Sequence, residues 1–123
     1  MTSLDEFKRR RDYANELILS TGDKVLNRFF NLDQNTYRPG ALDAKTKELL
    51  GLVASLVLRC DDCVTYHTDR LMEEGVTMAE LIEAVGVGLV VGGSITIPHI
   101  RRLFERLEEY EKAGKFDMTV EGD

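Results

Sequence analysis

Apolar residues recur at three- and four-residue intervals along most of the chain, and nowhere do they alternate singly with polar ones for the length of a strand. Leu4, Phe7, Ala14, Leu17 and Ile18 keep that spacing as far as Gly22. Ser3-Leu4-Asp5-Glu6 places a hydroxyl and a carboxylate where they satisfy the free backbone donors of a helix start, so the pattern predicts a first helix over about 4–20. A shorter helix carrying Val25, Leu26, Phe29 and Phe30 follows. Asn31 to Gly40 is rich in Asn, Asp, Pro and Gly and reads as the one long connection, separating an N-terminal helical arm, 1–40, from a main core, 41–113.

Asp43 can cap a third helix that runs to about Leu58 and is apolar on every face after Glu48, so it is expected to be buried all round. Asp61 to Glu74 is amphipathic and stops at Gly75, the residue type suited to the left-handed position past a helix end. Thr77-Met78-Ala79-Glu80 repeats the capping pattern, and the helix it opens ends at Gly92-Gly93. Ile97, Ile100, Leu103, Phe104, Leu107 and Tyr110 form the last stripe, with Pro98 in the first turn, where its missing donor costs nothing. Residues 114–123 read as a flexible tail. The expected fold is all-α, a single-domain bundle of about six helices over 1–113. Helices 44–58 and 78–92 carry more apolar surface than a monomer of this size readily hides, so part of it is expected between subunits.

Composition narrows the partners. The 123 residues hold 16 Lys+Arg against 22 Asp+Glu, a formal net charge of −6, which argues against nucleic acid or an anionic membrane surface. The basic run Lys8 to Arg11 is flanked by Asp5, Glu6 and Asp12 and reads as a solvated helix face. The apolar runs Leu49 to Leu58 and Val85 to Gly93 fall short of the roughly 20 residues that span a bilayer, and the first residues lack the apolar stretch of a secretory leader. A cytoplasmic location is expected.

Two cysteines are too few for a disulfide scaffold, but their spacing points to chemistry. At about 100° per residue, Cys60, Cys63 and His67 fall within an arc of about 60° on one helix face. A Cys-x-x-Cys pair at a helix start suits thiol redox work, because free amide donors stabilise a thiolate and the second sulfur can close a disulfide. His67, one turn after Cys63, can move the proton. Two other readings compete: the cysteines as inert small hydrophobes, or a structural zinc completed by Glu48 or His99. Glu48 reads in the first place as a partly exposed carboxylate in a helix's first turn. Along a straight helix it stands about 18 Å from Cys60, but a reversal near Arg59 into an antiparallel pair brings it within a turn of His67, where it can orient the imidazole.

Glu48, Cys60, Cys63 and His67 in this order and spacing, flanked by Leu42-Asp43-x-x-Thr46-x-Glu48-Leu49 and Gly92-Gly93-Ser94, resemble the signature of the AhpD-like alkylhydroperoxidases of the carboxymuconolactone decarboxylase family, over roughly residues 40–112. The resemblance implies an all-α fold and homo-oligomers, commonly trimers or hexamers. It also implies hydroperoxide reduction by the cysteine pair, served by a Glu and His proton relay, with Cys60, Cys63, His67 and Glu48 as the catalytic residues. No cofactor or metal is called for; an external dithiol, a thioredoxin-like or lipoyl protein, restores the thiols. The decarboxylase branch of the family lacks the cysteine pair, which leaves its chemistry as an alternative.

On this reading Cys63, next to His67, attacks the peroxide and Cys60 resolves; the competing assignment has Cys60 attack, as the sulfur nearest the helix terminus. The same cysteines also suit a protein disulfide oxidoreductase or adaptor without peroxide turnover. A non-catalytic module binding through its apolar helix faces is a third class. Both residues between the cysteines, Asp61 and Asp62, are acidic and are expected to disfavour a thiolate, with Asp62 turned about 100° from Cys63 into screening water. His99 reads as a surface histidine, with a place near a site on its own or a neighbouring subunit as the alternative. Gly86, Gly88, Gly92 and Gly93 lack the spacing of a dinucleotide loop and read as close helix packing. Tyr66, Met72 and Met78 read as packing or interface residues.

Overall fold

The structure is a computed structural model and describes residues 2–120. Among them are six α-helices and one 3-10 turn, Ser94–Thr96, and no strand. The helices are α1, Leu4–Leu19; α2, Lys24–Thr36; α3, Ala44–Val57; α4, Asp61–Glu73; α5, Met78–Gly92; and α6, Ile97–Lys112. None is long and apolar enough to cross a membrane. The chain divides into two compact units, one reaching Arg38 and the other starting at Pro39.

The first unit is a helical hairpin. Ser3 caps α1 by accepting the Glu6 N–H at 3.2 Å, and Asp23 caps α2 by accepting that of Leu26 at 3.0 Å. Here α2 runs on through Asn31–Thr36, most of the stretch expected to be a connection. Composition misleads there because Leu32 extends the helical stripe of Val25 and Phe29, while Asn35 donates to Asn31 one turn back. The Thr36 hydroxyl likewise returns to the Leu32 carbonyl at 2.7 Å. The true connection is residues 37–43.

The second unit is built on pairs of apolar residues one turn apart: Leu52 and Leu56 on α3, Leu81 and Val85 on α5, Leu103 and Leu107 on α6. With Val64 and Leu71 of α4 they close a single core, each fully buried leucine contributing about 2 kcal/mol. Gly75, at φ 72°, ends α4 as expected. Polar ties join α4 to α6: Tyr110 donates to Asp69, and the buried Arg106 donates through Nε to Thr65 Oγ1 at 3.4 Å. Burial and then Asp69 push the Tyr110 hydroxyl well above its ordinary range, so it remains a donor. Beyond α6, Phe116 and Met118 lie against the core, and the Met118 N–H reaches Glu111 Oε2 at 3.0 Å. Residues 121–123 of the expected tail lie outside the described residues.

Helix α3 is not buried all round. Leu50 is 56% exposed, and Ala54 and Leu58 also face outward. Together with Leu49, Val53, Val57 of α3 and Val87 and Val91 of α5, Leu50 lines an apolar groove of about 550 Å³. Of the glycines read as close packing, Gly88 lies against Leu56 and Gly92 against Thr96, but nothing stands within 4 Å of where a side chain on Gly86 or Gly93 would be.

The α5 start is a capping box: Thr77 Oγ1 accepts from the Glu80 N–H at 3.1 Å, and Glu80 Oε1 accepts from the Thr77 N–H at 2.9 Å. Lys45, 2.9 Å from Glu80 Oε2, ties this end to α3; it and the Thr77 amide hold the Glu80 carboxyl below its ordinary range. A depressed folded-state value means stabilisation that is present at neutral pH and lost as the pH falls through that value. Glu80→Gln is therefore expected to melt below wild type near neutrality and to converge with it in acid, as thermal melts over a pH series would read.

Candidate active site

The site forms where α3 turns back into α4. Leu58 ends α3, Arg59 takes the left-handed conformation at φ 61°, and Cys60 begins α4. The Cys60 N–H returns to the Ser55 carbonyl and the Arg59 N–H to the Leu56 carbonyl, each at 3.0 Å, the paired bonds of a Schellman end. Such a reversal normally uses glycine; Arg59 occupies it at a cost of about 1 kcal/mol. The tight turn makes α3 and α4 antiparallel neighbours, and positions equally far from it come face to face.

Glu48 and His67 lie within one helical turn of such a match and meet across the pair. His67 Nδ1 lies 2.7 Å from Glu48 Oε2, with Glu48 only 2% and His67 8% exposed. With Glu48 as a carboxylate Nδ1–H is the donor, and in the neutral ring the basic nitrogen is then Nε2. Glu48 is thus buried and paired rather than a partly exposed first-turn residue, and its other oxygen stands 3.9 Å from Arg70 Nε. The imidazole lies directly on the α3 backbone: a methyl group at Gly51 would stand 2.6 Å from His67 Cε1. Tyr66 meets the ring edge-on, with centroids 5.2 Å apart. Met78 is in the core and Met72 packs against it.

Cys60 and Cys63 are joined by a disulfide, with Cα atoms 5.3 Å apart. Cys60 is the N-cap of α4, and its sulfur accepts the Cys63 N–H at 3.2 Å. Cys63 is exposed and Cys60 half-buried. His67 follows Cys63 by one helical turn.

His99 is not a surface histidine. Its side chain is 15% exposed and its Nδ1 lies 2.7 Å from Asp61 Oδ1, while Arg102 Nη1 donates to Asp61 Oδ2 at 2.9 Å. The competing zinc set does not assemble, because the sulfurs bond each other and His99 is engaged by Asp61. Among the described residues no three His, Cys, Asp or Glu side chains converge on a metal position. Three contributors escape a reading of the sequence for reactive groups: Gly51, Arg70, and the pairing of Asp61 with α6. A glycine inside an otherwise apolar helix, three residues after Glu48, is the local signal for the first.

A helical unit that holds a Cys-x-x-Cys disulfide at the start of one helix, beside a buried carboxylate–imidazole pair spanning that helix and its antiparallel neighbour, defines a small all-α thiol–disulfide protein. The chain belongs to the carboxymuconolactone decarboxylase family, whose model matches residues 23–106. A crystal structure of the Thermotoga maritima protein TM1620 is 55% identical, with a TM-score of 0.86 over 89% of this chain and 96% of that one. A second structure of TM1620, described as a family protein suggested to act in an antioxidative response, is 52% identical, with a TM-score of 0.81 over 94% of this chain and 99% of that one. An uncharacterized protein of the cox locus of Paracoccus denitrificans is 26% identical over 92 residues, 75% of this chain and 83% of that protein. The alkyl hydroperoxide reductase AhpD of Corynebacterium aurimucosum is 34% identical over 70 residues, 57% of this chain but 40% of that longer protein.

Proposed function

We propose that the protein is a cytoplasmic thiol peroxidase that reduces hydroperoxides through Cys60 and Cys63, with His67 as base and Glu48 as its positioning partner. The observation that carries this reading is the buried bond of 2.7 Å between His67 and Glu48, one turn from the cysteine pair. Taking an ionisable pair out of water costs several kcal/mol, and a disulfide that served only to brace the turn would gain nothing from it. The AhpD relative and the antioxidative role suggested for TM1620 support the same assignment.

In the reaction His67 Nε2 takes the Cys63 proton, and the thiolate attacks the terminal peroxide oxygen. The S–O bond forms as O–O breaks, and the alcohol leaves with the proton returned by His67. Cys60 then attacks the Cys63 sulfur, water departs, and the disulfide closes. An external dithiol, of thioredoxin-like or lipoyl type, reduces it by exchange and leaves as its own disulfide. Glu48 fixes the tautomer and balances the transient imidazolium charge. No cofactor takes part.

The outward apolar surface of α3 and α5 fits a homo-oligomer, a trimer or hexamer, with a second copy of the chain covering the groove. Light scattering at micromolar concentration should return a multiple of the 13.9 kDa chain mass. A monomer would refute this assembly.

The function itself is tested by adding one equivalent of an organic hydroperoxide to the reduced protein and counting free thiols. Loss of both thiols with one alcohol released per chain is expected. Thiol loss no faster than in the unfolded chain would sink the peroxidase reading, and disulfide exchange with dithiols in its absence would favour the oxidoreductase alternative.

A further inference from the structure

Asp61 occupies the first position of α4, directly after the Cys60 cap. An acid there would ordinarily face water and the helix terminus. Instead its two oxygens are divided between partners 38 and 41 residues away: Oδ1 to His99 Nδ1 at 2.7 Å and Oδ2 to Arg102 Nη1 at 2.9 Å. His99 and Arg102 lie three apart on one face of α6, so the start of α6 presents a ready-made fork to the start of α4. The other charged groups around the cysteines are Arg59 before them, Asp62 between them, which is exposed, and the Glu48–His67 pair with Arg70 behind them. Asp61 directly follows Cys60 in the chain, and Arg102 is the cation paired with it.

We propose that Arg102 and His99 form a charge-balancing clamp on Asp61 that sets how readily Cys60 and Cys63 ionise. The inference rests on the reading of these cysteines as working thiols. With the clamp in place, the acidic Asp61-Asp62 insert costs the thiolate much less than its composition suggests, because only Asp62 remains uncompensated and water screens it. Arg102 and His99 act through Asp61 and are positioning residues; neither bonds a cysteine in the oxidised structure.

The charge account makes opposite demands on two conservative changes. Asp61→Asn leaves Arg102 as net positive charge beside Cys60 and should strengthen thiol ionisation; Arg102→Gln leaves Asp61 as net negative charge and should weaken it. At effective dielectric values near a protein surface each change should amount to about threefold to tenfold in the ionisation constant. The reduced proteins would be titrated with pH by thiolate ultraviolet absorbance, and equilibrated with dithiothreitol and its cyclic disulfide above the thiol range. In that exchange two electrons pass from the dithiothreitol dithiolate to the Cys60–Cys63 bond, which opens to two thiolates as the cyclic dithiothreitol disulfide closes. Asp61→Asn should shift the equilibrium toward the reduced protein and Arg102→Gln toward the disulfide, by the same factors. The double variant should return close to wild type, a restoration that a merely structural contact would not produce. Shifts of the same sign in both single variants, no shift in either, or a double variant that adds their defects would overturn the proposal. Peroxide is absent from both measurements, so failure of the peroxidase reading and failure of the clamp are told apart.

Discussion

Cys63→Ser is expected to abolish peroxide-dependent thiol loss, while Cys60→Ser still consumes one equivalent and stops, with one added oxygen on Cys63. Two features of the site pull in opposite directions here. The Cys60 sulfur caps α4 and accepts the Cys63 N–H at 3.2 Å, so the helix terminus favours a thiolate at Cys60. Cys63 is the exposed sulfur and lies one turn from His67, whose bond from Nδ1 to Glu48 makes Nε2 the basic nitrogen of the neutral ring. Magnitudes decide between them. A helix terminus is worth about 0.3–1 kcal/mol to a charge, less than a factor of about six, whereas a positioned general base contributes about 10²–10⁴. Access adds to the difference, because a bulky hydroperoxide reaches the exposed sulfur first. Mass spectrometry of both variants after one equivalent of peroxide, with a sulfenic acid trap, reads the outcome. If Cys60→Ser is inert and Cys63→Ser carries the added oxygen, the roles are reversed.

What could be read from the sequence depended on how local its cause was. The helix starts at Ser3, Asp43 and Thr77 are set by one side chain and a backbone amide three residues on, and each cap is where the pattern predicts it. The core stripes of α5 and α6 are equally local. Asn31 to Thr36 was obscured because turn-forming composition and helical periodicity disagree there, and Leu32 and the Asn31–Asn35 pair decide for the helix. The approach of Glu48 to His67 was legible only if the chain reversed near Arg59. No glycine advertises that reversal, and the left-handed conformation falls to an arginine. The clamp of His99 and Arg102 on Asp61 was invisible, since it joins residues about 40 apart through the packing of α4 on α6, and neither end carries a pattern of its own. The helical angle could separate Asp62 from Cys63, but it could not show that Asp61 is paired by α6 while Asp62 stays exposed.

Gly51→Ala is expected to do what a helical glycine-to-alanine change normally does not: destabilise the protein and disable the site together. In an open helix interior alanine gains about 1 kcal/mol over glycine by restricting the unfolded chain and improving helix propensity. At Gly51 the added methyl would stand 2.6 Å from His67 Cε1, 2.8 Å from Nε2 and 2.9 Å from Nδ1, distances that carbon contacts do not tolerate. The ring cannot simply slide aside, because Glu48 holds Nδ1 at 2.7 Å and Tyr66 meets it edge-on. Either the imidazole leaves the carboxylate or α3 and α4 move apart, and overpacking of that kind costs about 1–3 kcal/mol. For a domain of this size that corresponds to a melting temperature lower by roughly 4–8 °C per kcal/mol. A displacement approaching 1 Å at the base should slow peroxide-dependent thiol oxidation by about 10²-fold. Gly86→Ala supplies the control within the same protein, since no heavy atom lies within 4 Å of its added carbon, and it should melt at or above the wild-type temperature with an unchanged rate. Thermal melts and single-turnover rates of the two variants side by side separate the general effect of alanine from the local collision. Wild-type stability and rate in Gly51→Ala would mean that His67 does not rest on α3, and the relay would lose its geometric basis.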